Sequence, residues 1–165
     1  LLSIFLIAGA ISLRYEMVGV IKEMAVGLAR PILPLLIWLT LLVIIAGTIV
    51  TGSGPHAGDE QAQRFGFDPR VVSWLHADLV IALLVLTSML YLITRQSGLT
   101  IINKRVKLFM LICLAQGAIG YIQYFTGLPV VLVAIHLLGA TLVWITGWSL
   151  VKVAGTGFRL KGFNL

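Results

Sequence analysis

The sequence predicts an all-α protein: a polytopic transmembrane helical bundle with four full spans and a partial amino-terminal helix. Of the 165 residues, 59% are hydrophobic and 11% are charged, whereas a typical soluble domain is about 25% charged. Four apolar runs reach the roughly 20 residues that a helix needs to cross a bilayer. They are residues 31–50, 71–93, 106–125 and 130–151. The runs are continuously apolar rather than alternating, which argues against a β-barrel.

A fifth apolar run, residues 1–13, is too short to cross a membrane. We expect it to be the end of a preceding transmembrane helix. A signal peptide is not indicated, because no positive stretch precedes the run and no small-residue cleavage site follows it. The single cysteine, Cys113, excludes a disulfide framework or a cysteine-based metal site built from this chain alone.

The net charge of +6 is explained by membrane topology rather than by binding to nucleic acid. Two cations, Arg64 and Arg70, lie on one side of the predicted spans, and ten lie on the other. The ten are Arg14, Lys22, Arg30, Arg95, Lys104, Arg105, Lys107, Lys152, Arg159 and Lys161. Cytoplasmic loops carry such an excess. We therefore expect residues 51–70 and 126–129 to face outward from a multi-pass protein of the cell membrane.

Two successive pairs of spans share a pattern that indicates a duplicated hairpin. In each pair the first span ends in Thr-Gly followed closely by Pro, at residues 51–55 and 126–129. A glycine precedes each of these turns, and a histidine follows early in the next span: Gly47 with His76, and Gly120 with His136. Glycine and proline are also explained by the turns themselves, so chance similarity is the alternative.

His76 and His136 are predicted to lie at the same depth in the membrane. At 1.5 Å per residue, His76 is about 8 Å from the expected helix start at residue 71, and His136 is about 9 Å from residue 130. Two neutral imidazoles on separate helices can fill both axial positions of a haem iron. The spacing alone favours haem or another metal, with a hydrogen-bonded structural role for each histidine as the alternative.

Polar residues of the third span are further candidates for cofactor binding. Gln116, Gly120 and Gln123 recur at helical spacing on one face. Ordinary packing of membrane helices also uses such stripes of small residues. Asp78 points roughly 200° away from His76 around the helix, so it cannot be a second ligand to the same centre. His56, in the glycine-rich outer loop, is interpreted as a solvated side chain.

Four segments resemble the carboxy-terminal half of the haem A synthases in order and spacing. They are GTIVTGSGPHAGD at residues 47–59, WLHAD at 74–78, QYFTGLP at 123–129 and IHLLGA at 135–140. The resemblance spans nearly all of residues 31–151, and the segment at residues 51–59 is fairly specific to the family. Some members carry a cysteine pair in the first outer loop. Residues 51–70 contain none, which puts thiol-based electron entry through this loop in doubt.

The resemblance implies a function for the chain. Haem A synthases are bacterial membrane oxidoreductases that oxidise a methyl group of haem O to the formyl group of haem A for terminal oxidase assembly. Their carboxy-terminal half binds haem b, and the matching iron ligands here are His76 and His136. Substrate haem O and the catalytic carboxylate would belong to an amino-terminal half, so no catalytic residue is expected in this half. Haem O synthase and the terminal oxidase would be partners, along with the lipid bilayer.

In this interpretation the chain divides into four parts. Residues 1–13 end the last helix of the amino-terminal half, and residues 14–30 form a cytoplasmic linker. Residues 31–153 are the haem-binding bundle, and residues 154–165 are a cytoplasmic tail.

Arg64 and Arg70 are expected to bind haem propionates on the outer side, because arginine pairs with carboxylates through two hydrogen bonds. Local salt bridges to Asp59, Glu60 or Asp68 are the alternative. Two other functions stay open for the chain: a membrane b-type cytochrome for electron transfer, and a cofactor-free transporter or assembly subunit.

Overall fold

The computed structural model describes residues 23–54 and 63–154 of the chain. These residues form four helices, α1 (Ala29–Ser53), α2 (Pro69–Gln96), α3 (Thr100–Phe125) and α4 (Val130–Val153). All four are long and apolar enough to cross a membrane. The all-α fold and its four transmembrane-length helices are thereby confirmed. The expected helix at residues 1–13, most of the linker, His56 and the tail from residue 155 lie outside the described residues.

Three of the helices begin before the apolar run that predicted them. The second begins at Pro69 rather than at residue 71, because Asp68 caps it. The Asp68 carboxylate accepts the main-chain N–H of Arg70 at 2.8 Å and that of Val71 at 3.4 Å, and proline suits the first helical position. Likewise, α3 begins at Thr100 and carries polar Asn103 in its first turns. Hydropathy marks the apolar middle of a helix rather than its ends, and of these three helices α2 is the one that begins at a side-chain cap.

The helices form a closed four-helix bundle in which sequence neighbours pack side by side. Contacts join α1 to α2, α2 to α3, α3 to α4, and α4 back to α1. Among these described helices, α1 does not contact α3 and α2 does not contact α4. We call these two non-contacting pairs the diagonal pairs. We call the end with Gly54, residues 63–68 and residues 126–129 the histidine end, and the end with residues 97–99 the linker end.

The half of the bundle toward the linker end is the more tightly packed. Phe109 is fully buried there and lies against Gly147, where a Cβ atom would be 3.0 Å from the ring. Toward the histidine end, no residue of α2 before Leu83, of α3 after Cys113 or of α4 before Gly139 is buried. The histidine half therefore has room between its helices that the linker half lacks.

The chain entering the bundle is fixed at the linker end. The Glu23 carboxylate accepts the main-chain N–H of Ile102 at 2.8 Å, near the start of α3. The main-chain N–H groups of Glu23 and Ala25 donate to the carbonyls of Val153 and Ala154, at 3.0 and 3.1 Å. Helix ends leave such groups without partners inside the helix. One short segment thus satisfies the beginning of one helix and the end of another.

Candidate functional site

The two histidines lie on the diagonal helices of the bundle. His76 is on α2, about 10 Å along the axis from Pro69, and His136 is on α4, about 9 Å from Val130. Both side chains are partly buried. The two helices do not pack directly against each other. The structure therefore places the two residues that the sequence singled out at one level of the bundle, on opposite helices.

Each imidazole lies against a glycine of the preceding helix. A Cβ atom built on Gly47 would be 3.1 Å from Cε1 of His76, and one built on Gly120 would be 3.4 Å from Cε1 of His136. The first distance is tighter than ordinary van der Waals contact, and the second is an ordinary contact. The glycines leave space for the rings. The same contact occurs in both hairpins, which supports the internal duplication.

Buried polar atoms without a hydrogen-bond partner gather in the histidine half. They include Nδ1 of His76, Nδ1 of His136, and Oε1 of both Gln116 and Gln123. The indole N–H of Trp148, in the linker half, is a further case among the described residues. Most buried polar groups in proteins are hydrogen-bonded, so each exception calls for an explanation. Four of these exceptions lie in the histidine half of the bundle, on α2, α3 and α4.

The two glutamines lie on either side of Gly120 along α3. The carboxamide of Gln116 occupies the notch left by Gly139 on α4, where a Cβ atom would overlap it. Gly139 lies one turn from His136 on the same face of the helix. Gln123 is in the last turn of α3, where its main-chain carbonyl accepts the N–H of Leu128 at 2.7 Å. The glutamines therefore flank the level at which His136 meets α3.

The two arginines lie at the histidine end but not in one cluster. Arg64 is partly buried in the segment that precedes α2. The next residue, Phe65, packs over Gly52 and donates its main-chain N–H to the carbonyl of Gly52 at 3.0 Å. Arg70 is exposed, and its guanidinium lies 5.5 Å from the centroid of the Trp74 ring. Asp59 and Glu60, two of the proposed salt-bridge partners, lie outside the described residues.

Asp78 is exposed on the surface of α2. This position agrees with the helical geometry that separated it from His76 in the sequence analysis.

The glycine contacts were the part of the site that sequence reasoning missed. The sequence analysis assigned Gly47 and Gly120 to a repeat but not to contacts with the histidines. One signal could have revealed the glycine contacts: a glycine in an apolar span, shortly before each Thr-Gly turn.

Comparisons of the chain with protein-family models, with curated proteins and with solved structures found no match. The functional interpretation therefore depends on the sequence resemblance and on the geometry of the histidine half.

Proposed function

We propose that this chain is the haem b-binding half of a haem A synthase, the oxidoreductase that converts a methyl group of haem O to the formyl group of haem A. One observation carries the proposal. Two imidazoles at one depth on diagonal helices each lie against a glycine, and each has a buried Nδ1 without a partner. This arrangement suits a flat cofactor held from both sides between the helices.

The ligand set favours haem over a metal ion bound by protein alone. Within residues 23–54 and 63–154, no three His, Cys, Asp or Glu side chains come together as a metal-binding group. Zinc sites use three or four protein ligands. A haem iron takes only its axial ligands from the protein, so two histidines suffice.

Each residue of the site has a role in this proposal. His76 and His136 are the axial ligands, and Gly47 and Gly120 admit the imidazoles between the helices. Gln116 and Gln123 offer buried amide oxygens beside one ligand. A haem with two histidine ligands supplies one-electron transfer and has no open coordination position. The oxidation of haem O is therefore assigned to the amino-terminal half.

Arg64 and Arg70 are proposed to hold the haem propionates at the histidine end. Both lie on the side toward which the carboxylates of a haem at this depth can point, and arginine pairs well with carboxylates. Replacing both with alanine is expected to lower haem retention. Full haem occupancy of the double variant in high salt and detergent contradicts this role.

A membrane b-type cytochrome is the second candidate, because it uses the same pair of histidines. Such a cytochrome would not act together with haem O synthase and the terminal oxidase, which are the expected partners of a synthase.

The decisive experiment uses the whole chain purified from cells that accumulate haem O. The wild-type chain is expected to show the low-spin spectrum of a bis-histidine haem b, and His76→Ala and His136→Ala are each expected to abolish it. Asp78→Ala is the matched control, since it alters an exposed residue on the same helix. A colourless wild-type protein overturns the haem proposal.

Chromatography of the extracted haems tests the assignment to a synthase. This chain alone is expected to form no haem A, and haem A is expected when an amino-terminal half is supplied. Formation of haem A by the chain alone places catalysis at His76 and His136 instead. If no haem A forms either with this chain alone or with the amino-terminal half supplied, the cytochrome is favoured.

A further inference from the structure

We infer that Gln123 accepts a hydrogen bond from the Nδ1–H of His136 and so positions this imidazole as an iron ligand. The inference rests on the proposed haem function and adds a positioning residue to it. It assigns different roles to the two glutamines of α3. It also means that the two histidine ligands differ in the hydrogen bond that each imidazole donates.

The first argument is the direction in which the side chains lean. Side chains of an α-helix tilt toward its amino terminus. From Gln123, in the last turn of α3, the side chain leans back toward Gly120. From His136, near the beginning of α4, the imidazole leans toward the histidine end, where Gln123 lies. The contact of His136 with Gly120 places the ring about 4.5 Å along the helix axis from the level of Gln123. The two side chains therefore converge.

The second argument is chemical complementarity. Nδ1 of His136 and Oε1 of Gln123 are both buried, and neither has a hydrogen-bond partner in this structure, so they are not bonded to each other here and both remain available. A neutral imidazole has one N–H donor, and a carboxamide oxygen is an acceptor. A histidine that binds a metal through one nitrogen almost always donates a hydrogen bond from the other. One bond between these groups satisfies both atoms and leaves Nε2 for the iron.

Gln116 does not fit this role. Its carboxamide is held against Gly139, on the linker side of His136. Its side chain leans further toward the linker end, because that is the direction of the amino terminus of α3. Gln116 therefore packs α3 against α4, while Gln123 is the glutamine whose side chain leans toward the ring.

The first hairpin has no equivalent of Gln123. Val50 follows Gly47 at the same interval at which Gln123 follows Gly120, and its side chain cannot accept a hydrogen bond. Nδ1 of His76 is buried and has no hydrogen-bond partner among the described residues. A hydrogen bond donated from Nδ1 makes an imidazole a stronger electron donor, which favours ferric iron and lowers the reduction potential.

The test compares Gln123→Leu and Gln123→Glu with the matched control Val50→Leu in the haem-loaded chain. Gln123→Leu removes the acceptor and is expected to raise the midpoint reduction potential and weaken haem binding by about tenfold. Gln123→Glu supplies a stronger acceptor and is expected to lower the potential. Val50→Leu is expected to leave the potential unchanged. The low-spin electron paramagnetic resonance spectrum provides a second measure of the ligand field.

The inference is supported if the midpoint reduction potential rises in Gln123→Leu and falls in Gln123→Glu. A haem-bound chain in which both variants shift the potential the same way, or not at all, overturns it. If the wild-type chain binds no haem, the proposed function fails, and nitrogen NMR of the haem-free protein then tests the hydrogen bond by itself. An unchanged Nδ1 resonance of His136 in Gln123→Leu shows that the bond does not form.

Discussion

The α1–α2 hairpin and the α3–α4 hairpin hold equivalent histidines in different surroundings. In both, the imidazole lies against a glycine of the first helix. In the first hairpin the residue three positions beyond that glycine is apolar Val50. Around His136 two glutamine side chains occupy the adjoining turns of α3. Both hairpins thus share the contact between the imidazole and a glycine, whereas they differ in the polarity of the side chains near that contact. Two copies can provide a symmetric pair of ligands and still give each ligand its own electronic character.

The connections of the two hairpins differ as well. In the first, Phe65 returns from a long connection and packs over Gly52 at the end of α1. In the second, a short turn reverses the chain, with positive φ values of 77° at Gly127 and 60° at Leu128. A compact turn relies on backbone conformation, whereas the longer connection relies on side-chain packing. Four predictions probe this comparison.

The largest expected effect concerns topology, because the comparison requires both hairpins to open on the same side of the membrane. Thr126→Cys, in the exposed second turn, is expected to react with an impermeant thiol reagent in intact cells. Ser97→Cys, exposed at the linker end, is expected to react only after the cells are opened. The native Cys113 is buried and adds little background. Labelling of Ser97→Cys in intact cells contradicts the predicted orientation.

The second prediction concerns the packing between Gln116 and Gly139, which belongs to the second hairpin alone. A methyl group at residue 139 overlaps the Gln116 carboxamide, which is the far end of a flexible side chain and can turn away, so Gly139→Ala is expected to destabilise the bundle by about 1.5 kcal/mol, toward the low end for an overpacked core. In a Gln116→Ala background the same change is expected to cost much less, because neighbouring residues couple. Thermal unfolding of the four proteins in detergent measures this. If Gly139→Ala lowers the stability equally in the wild-type and Gln116→Ala backgrounds, the contact between Gln116 and Gly139 is excluded.

Much of the fold could be predicted from the sequence, because a bilayer imposes strong length and polarity requirements on each helix. The four helices and their order follow from apolar runs alone. The start of α2 at Pro69 could not be predicted from hydropathy, since it depends on the side chain of Asp68 acting as a cap. The equal depth of His76 and His136 could be predicted, because depth depends only on the number of residues from each turn.

Contacts between helices could not be predicted in the same way. They depend on how each helix is rotated about its axis, which packing decides and which sequence spacing does not. The fit of Gln116 into the notch at Gly139 is such a case. The helical stripe of Gln116, Gly120 and Gln123 marked the correct face. It could not distinguish the residue that packs between helices from the residue within reach of His136.

The third prediction compares the two glycine contacts directly. A methyl group on Gly47 comes within 3.1 Å of the His76 ring, so the imidazole must move. On Gly120 the corresponding distance to His136 is 3.4 Å, which is ordinary contact. Gly47→Ala is therefore expected to weaken haem binding by about 1.4 kcal/mol, or tenfold, and Gly120→Ala by less than half that free energy. Haem titration followed by absorbance measures both. A greater loss for Gly120→Ala reverses the comparison.

The smallest expected effect concerns the turn of the second hairpin. Gly127 has a φ of 77°, which costs a residue with a Cβ atom about 1 kcal/mol. Gly127→Ala is therefore expected to lower the melting temperature slightly. Gly117, in the middle of α3, has open space around its Cβ position and no positive φ. Gly117→Ala is expected to raise the melting temperature, since alanine is favoured over glycine within a helix by about 1 kcal/mol. The pair controls for the added methyl group, and it separates backbone conformation from packing. A loss of similar size for both variants means that the added methyl group, and not the positive φ of Gly127, accounts for the effect.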